Sequence, residues 1–423
     1  MQAPKLSQLA ETLIGSEIVK LGGEIKERIR QGARVYNFTV GDFDPSIFPI
    51  PAELQQHIEQ AYQDKHTNYP MAEGNLELRQ ALKGFIQHYQ GLDYDLSEIL
   101  VASGGRPLIY TIFRTLCDPG DKVVYAVPSW NNNHYAHFID AEHIVLEAKA
   151  ENKFMPTAAE LKPHLAGATL LALCSPQNPT GTTFEKEELE AICDLVLAEN
   201  AQRGAADKKL YVMFDQMYWH LTYGEIRHHD PVSLRPAMKE FTLFVDAISK
   251  VFSATGLRVG WGMGPAPVIA KMKSILTHMG AWAPMAEQKG LADYLPDFPA
   301  IDRYLSHFKS EIEHRLTRIY NGITQLGKDG FPLDAIQPEA AIYLTVNVNL
   351  KGWKKTDGTI LSDQAAVTHF LLNDASLAIV PFYAFGSDRE SPWYRLSVGT
   401  CKKEEIDEML DKLRNALVQL ERP

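Results

Sequence analysis

The chain reads as an α/β protein whose open sheet gathers a ligand site along one rim. Three observations predict this. Apolar, strand-like runs alternate with stretches of helical spacing through roughly the first 300 residues. Five of those runs deliver a residue with chemistry just past their carboxyl ends: Gly104, Trp130, Asn178, Asp215 and Lys250. Ligands of open α/β sheets bind outside the carboxyl ends of the strands, so five such endings converge on one cleft. Beyond about residue 300 the pattern changes. Tyr304, Leu305, Phe308, Ile312, Leu316, Ile319, Ile323 and Leu326 keep helical spacing over a long segment.

The elements follow in order. Residues 16–30 carry a helical stripe through Ile18, Leu21, Ile25 and Ile29, weakened by Gly22-Gly23. Residues 35–40 read as a strand running into the turn-forming cluster Gly41-Asp42-Phe43-Asp44-Pro45. Residues 99–102 are a strand, followed by Ser103-Gly104-Gly105-Arg106 and an apolar helix from about Pro107 to Leu116. Strand, glycine loop and helix start make an anion site, because free backbone N–H groups converge there and the helix dipole favours negative charge. A phosphate is therefore assigned to the backbone of Gly104, Gly105 and Arg106. This is not a nucleotide loop, since a Gly-Lys-Ser/Thr ending is absent; the Gly-rich run at 260–264 reads as strand.

Residues 122–127 form a strand ending in Pro128-Ser129-Trp130, which offers a flat, rigid aromatic face. Residues 168–174 form a continuous apolar strand before Ser175-Pro176-Gln177-Asn178-Pro179-Thr180-Gly181, where Pro179 and Gly181 fix a turn that holds the Asn178 amide. A helix over 185–199 precedes the strand 210–214, which delivers Asp215 and, three residues on, Tyr218. A carboxylate ending an apolar strand needs a cationic partner. Residues 241–248 form the next strand, then Ser249-Lys250 and a loop to Gly256-Leu257-Arg258-Val259-Gly260. A lysine amine can form a Schiff base with a carbonyl and an arginine can hold a phosphate, so the pair points to a phosphorylated aldehyde cofactor. Further strands are expected over 338–346 and 377–380, then Arg395 on a strand and a closing helix through Ile406, Met409, Leu410, Leu413, Leu417 and Leu420.

Ser249-Lys250 with Gly-Leu-Arg-Val-Gly, its arginine eight residues after the lysine, and Asn-Pro-Thr-Gly after a buried strand, resemble the signatures of class I/II aminotransferases. These are pyridoxal-phosphate enzymes of fold type I, aspartate aminotransferase among them. The resemblance runs from Gly41 to Arg395. It implies a large domain over 46–299, with a mostly parallel seven-stranded sheet flanked by helices, and a smaller α+β domain from 1–45 and 300–423. It makes Lys250 the Schiff-base lysine and Arg258 a phosphate ligand, with Ser249 compensating for Ala247 where the family often has serine. Trp130 would stack on the pyridine ring, Asp215 would pair with its nitrogen, and Asn178 and Tyr218 would reach its ring oxygen. Tyr69, in Asn68-Tyr69-Pro70, would reach the phosphate of a neighbouring subunit, which implies a homodimer. Substrate would meet Gly41, Asn178, Trp130 and the clamping Arg395, with Arg106 and Ser16 candidates for a dicarboxylate side chain.

The implied activity is transfer of an amino group from an amino acid to a 2-oxo acid, with Lys250, Asp215 and Tyr218 as catalytic residues. The same site chemistry also serves carbon–sulfur lyases and other elimination enzymes, and a non-catalytic sensor is a further alternative. Three departures from the family pattern stand out: Gln216 where an acid is usual, expected to face away; Phe382 in a glycine's place, expected to reshape the pocket mouth; and an alanine for glycine near 340.

Composition excludes other classes. At 423 residues, 45% hydrophobic and 22% charged, the chain has ordinary globular composition. A net charge of −11 without a basic block argues against nucleic acid as a partner. No apolar stretch approaches membrane-spanning length, and residues 1–13 lack a secretory pattern, so a cytoplasmic protein is expected. The four cysteines have no metal-finger spacing, and Cys174 and Cys193 read as small buried side chains. His228-His229 and His134/His137 lack convergent ligands and read as surface histidines, so no metal is expected.

Overall fold

The computed structural model describes residues 5–13, 15 and 17–422; Ser16, expected near substrate, lies outside them. After the short strand β1 (Tyr36–Asn37), a seven-stranded sheet is built from β2 (Ile99–Ala102), β3 (Lys122–Val127), β4 (Glu142–Glu147), β5 (Ala168–Cys174), β6 (Tyr211–Asp215), β7 (Thr242–Ala247) and β8 (Gly260–Met263). The order is β2-β8-β7-β6-β5-β3-β4. Among the described residues β8 alone runs antiparallel to its neighbours; the other pairings are parallel. β2, β3, β5, β6 and β7 therefore point the same way, and their carboxyl ends share one rim.

The central strands are apolar throughout because helices cover both faces. On one face Gly105–Leu116 and Ala266–Met279 bury Leu108, Ile112, Met272 and Leu276 against Leu100, Val123, Leu170, Met213 and Leu243. On the other, Lys186–Gln202 adds Leu189, Ile192 and Val196 to a larger cluster with Val124, Leu171, Val212 and Phe244. Burying one such side chain stabilises the fold by about 1.5–3 kcal/mol. The edge strand β4 carries no long apolar run, because Glu142, His143 and Glu147 are charged or polar residues that suit an edge.

A second, antiparallel sheet has the order β13-β14-β10-β9, from β9 (Leu333–Ala335), β10 (Tyr343–Val348), β13 (Val380–Pro381) and β14 (Trp393–Ser397). β11 (Lys354–Lys355) pairs with β15 (Leu420–Glu421), and β12 (Leu377–Ala378) pairs in parallel with β1. The helix Phe298–Lys328 starts where the Asp297 side chain accepts from the Ala300 N–H, with Pro299 in its first turn. Its buried stripe through Leu305, Phe308, Ile312, Leu316, Ile319 and Ile323 joins the larger cluster.

Several sequence expectations shift. The strand expected over 35–40 pairs only at Tyr36–Asn37, because the chain then leaves the sheet toward the rim. The apolar run to Ile248 stops being strand at Ala247, and Ile248–Val251 is one helical turn, so Lys250 sits on a short helix rather than in a loop. The helix after β2 begins at Gly105, two residues before Pro107. The strand expected from 338 begins at Tyr343, because Ala340 N–H and Ala341 N–H are first spent on the carbonyls of Gly181 and Leu221. His228 is no surface histidine: its ring nitrogens are buried without a hydrogen-bond partner among the described residues, and burial lowers its pKa to about 3. Cys193 is buried, whereas Cys174 keeps partial exposure at the end of β5. Gln216 is buried and exchanges hydrogen bonds with Gln90.

Candidate active site

At one end of the rim, β2 runs into Gly104 at φ +82, and Gly105 opens a twelve-residue helix. The first N–H groups of a helix have no partner within it, so they face outward as donors. Arg258, itself in the left-handed region at φ 57, donates from Nη1 to the Thr255 carbonyl at 2.7 Å and from Nη2 to the Ser103 carbonyl at 3.2 Å. Its guanidinium occupies the space a Gly104 side chain would need. Across the β2–β8 pairing, a Cβ on Gly260 would stand 2.6 Å from the Gly104 carbonyl carbon. Helix N-terminus and arginine thus meet because glycines let three backbone segments close on one another. Ser249 lies buried next to Lys250 on the short helix.

Asp215 ends β6 in a desolvated position. Its Oδ1 accepts from the Met217 N–H at 3.1 Å, and burial raises its pKa to about 6 against that bond. No cation pairs with it among the described residues. On the neighbouring strand's continuation, Lys250 Nζ donates to the Gly41 carbonyl at 2.6 Å and lies 5.5 Å from the Phe43 ring and 5.9 Å from the Tyr218 ring. Burial is the main force lowering the lysine to about 8; Arg395, Arg258 and Arg106 push the same way and Asp42 opposes them.

Arg395 is buried on β14. Nη1 donates to Asn178 Oδ1 at 3.0 Å and Nη2 to the Thr39 carbonyl at 2.6 Å, while Nε has no partner among the described residues. Burial lowers its pKa, so the charge is retained at a cost that an anion would offset. The guanidinium carbon lies 4.8 Å from the ring of Tyr343 and 4.8 Å from that of Phe385. Phe385 in turn lies 6.3 Å from Trp130, and the Arg106 guanidinium is 5.4 Å from the Trp130 ring. Gly41 closes the cluster: a Cβ there would stand 2.8 Å from Tyr343 Oη and 3.5 Å from Arg395 Nη1.

The structure therefore brings together Gly41, Gly104, Gly105, Arg106, Trp130, Asn178, Asp215, Tyr218, Ser249, Lys250, Arg258 and Arg395. Tyr69 stands apart, 82% exposed and edge-on to Trp282 at 5.5 Å. Phe382 does not form the mouth; it is buried behind Phe385 and packs on Phe154 at 5.0 Å. Tyr343, whose hydroxyl is 2.5 Å from that of Tyr218, joins the site with Phe43 and Phe385, although no sequence expectation assigns these three to it. Tyr343 lay inside an apolar run, and only the pairing of β10 with β14 brings it beside Arg395. Among the described residues no group of three or more His, Cys, Asp or Glu side chains is arranged to hold a metal.

Comparisons with known proteins agree with one another. Residues 33–413 match the family described as aminotransferase class I and II. The chain is similar to an aspartate aminotransferase of Rhizobium meliloti, 27% identical over 96% of this chain and 94% of that one. It is similar also to an aspartate/prephenate aminotransferase of Thermus thermophilus, 28% identical over 91% of this chain and 94% of the relative. Among solved structures, the Rhizobium meliloti aspartate aminotransferase superposes with a TM-score of 0.89 at 26% identity, covering 99% of this chain and 100% of that one. The Thermus thermophilus aspartate aminotransferase with maleate superposes at 0.86 and 25% identity, covering 98% and 100%.

Proposed function

This chain belongs to the aminotransferase class I and II family and is a pyridoxal-phosphate-dependent aminotransferase; we propose that it favours acidic, aspartate- or glutamate-type substrates and works as a homodimer. The residues present fit the cofactor. A phosphate suits the free N–H groups at Gly105 beside Arg258, and a protonated pyridine nitrogen is the cation that the unpaired Asp215 carboxylate lacks. When bound, pyridoxal phosphate supplies an aldehyde for amines and a ring that accepts electrons from the substrate Cα–H bond.

The chain's own residues then take these roles. Lys250 would hold the cofactor and would move the proton at the substrate Cα; an amine lowered to about 8 is suited to both giving and taking it near neutral pH. Asp215 would keep the ring nitrogen protonated. Trp130 would offer its indole face to the ring, and Asn178 and Tyr218 would address the ring oxygen. Arg395 turns toward the substrate α-carboxylate, for which its unpaired Nε and fork geometry are suited. Tyr69, exposed on its own subunit, is read as a phosphate contact for the partner.

The observation that carries the acidic preference is the aromatic pair Trp130 and Phe385, with Arg106 on one ring at 5.4 Å and Arg395 on the other at 4.8 Å. A cation on each of two neighbouring aromatic rings suits a substrate with two carboxylates. The solved relative with maleate, a dicarboxylate, supports the same reading. We read residues 46–299 as the large domain and 1–45 with 300–423 as the small one. A cytoplasmic location is part of this reading; no helix among the described residues is long and apolar enough to cross a membrane. The test is a half-reaction survey: purified holoenzyme should convert aspartate and glutamate faster than neutral amino acids of similar length, and equal rates would remove the acidic preference.

A further inference from the structure

We propose that Tyr343 is a positioning residue whose hydroxyl donates its proton to Tyr218, leaving the Tyr218 proton free for the cofactor's ring oxygen. The inference rests on the reading of Tyr218 as a donor to that oxygen. Tyr343 opens β10 opposite Ser397 of β14, while Arg395 pairs with Thr345 two residues on. Residues two apart on a strand share a face, so Tyr343 and Arg395 are diagonal neighbours on one side of the sheet. That placement sets the phenol against the guanidinium and aims its hydroxyl across the cleft at Tyr218. The two rings lie 5.4 Å apart at 67°, both buried, with their oxygens at 2.5 Å.

A proton count decides the direction. Each phenol has one proton to give. Among the described residues each of these hydroxyls bonds only to the other. If Tyr218 donated to Tyr343, nothing would remain for the ring oxygen. If Tyr343 donates, the Tyr218 oxygen is an acceptor, its own proton is available outward, and the two bonds strengthen each other. The surroundings favour this order. Burial raises both phenols and Arg395 lowers both, but its guanidinium lies against the Tyr343 ring at 4.8 Å and so draws more on that phenol. Tyr343 is therefore the better donor. Gly41 leaves room for it, since any side chain there would strike the Tyr343 oxygen.

A donor at the ring oxygen stabilises its negative charge, so the Lys250 nitrogen releases its proton at lower pH. The experiment is a pH titration of the visible absorption band of the pyridoxal-phosphate-loaded protein, with circular dichroism as the fold check. Tyr343→Phe should raise the midpoint by ~0.5 unit, Tyr218→Phe by more, and the double variant should match Tyr218→Phe alone, because Tyr343 acts through Tyr218. 3-Fluorotyrosine placed at 343, a more acidic phenol of almost the same size, should lower the midpoint. If Tyr218→Phe moves the midpoint while neither change at 343 does, or if the two Phe substitutions add, the inference is overturned. If Tyr218→Phe leaves the midpoint unmoved, the reading of Tyr218 has failed and the role of Tyr343 falls with it.

Discussion

Arg395 Nη1 donates to Asn178 Oδ1 at 3.0 Å across 217 positions of sequence. The bond ties β14 of the antiparallel sheet to the loop after β5 of the large one. A second bond from the same guanidinium, to the Thr39 carbonyl at 2.6 Å, adds the segment after β1. One buried cation thus fixes three segments around the cleft, which makes it both a structural tie and the group best suited to a carboxylate.

Arg395→Lys keeps the charge but loses the planar fork. It should lower kcat/KM by ~10²-fold with the fold retained, since an ammonium cannot replace two parallel bonds. Steady-state kinetics with far-UV dichroism on the same preparation checks this; unchanged kcat/KM would remove the clamp.

Asp215→Asn should separate stability from function. Burial raises the Asp215 carboxyl from 3.8 to about 6. The folded chain then binds more protons than the unfolded chain between those values, so stability falls as pH rises through that window and stays lower above it. A neutral amide removes this penalty, of up to ~3 kcal/mol, at pH 7.5 and changes little at pH 4. The cofactor-free variant should melt higher than the cofactor-free parent at pH 7.5 only, while turnover of the loaded enzyme collapses.

Lys250 should capture the cofactor with a pH dependence set by its own amine. Held down to about 8, it is largely neutral above that pH and protonated below. The rate of visible-band formation in cofactor-free protein should therefore rise with a midpoint near 8. Lys250→Ala should show no band attached to the chain after borohydride and no turnover; normal turnover would sink the mechanism.

Arg106→Ala should raise KM for aspartate and glutamate while leaving neutral amino acids nearly unchanged. The informative number is the ratio of acidic to neutral kcat/KM, expected to fall about tenfold for loss of one partly exposed ion contact. A constant ratio would assign Arg106 to packing on Trp130 alone.

Gly104→Ala should weaken cofactor binding. The position is left-handed at φ +82 and its side chain would displace the Arg258 guanidinium. A loss of ten- to a hundred-fold in affinity is expected, on the order of 1–3 kcal/mol of strain and lost contact. Equilibrium dialysis of pyridoxal phosphate against the variant measures it.

The sequence by itself determined what local chemistry writes into consecutive residues. Runs such as Ala168–Cys174 and Lys122–Val127 are too apolar to be anything but buried strands, and they appear with the limits read from them. The order of Lys250, Arg258 and the Asn178 turn was legible because each motif is contiguous. What only the tertiary structure decided depends on strand register and long-range approach. Tyr343 meets Arg395 and Tyr218 because β10 pairs with β14, and nothing in Ala340-Ala341-Ile342-Tyr343 carries that register. The pairing of Trp130 with Phe385 and the burial of His228 likewise join residues far apart in the chain. The strand β4 escaped because its edge position lets it keep charged residues. Local pattern fixes which segments are buried; packing alone fixes which buried side chains touch.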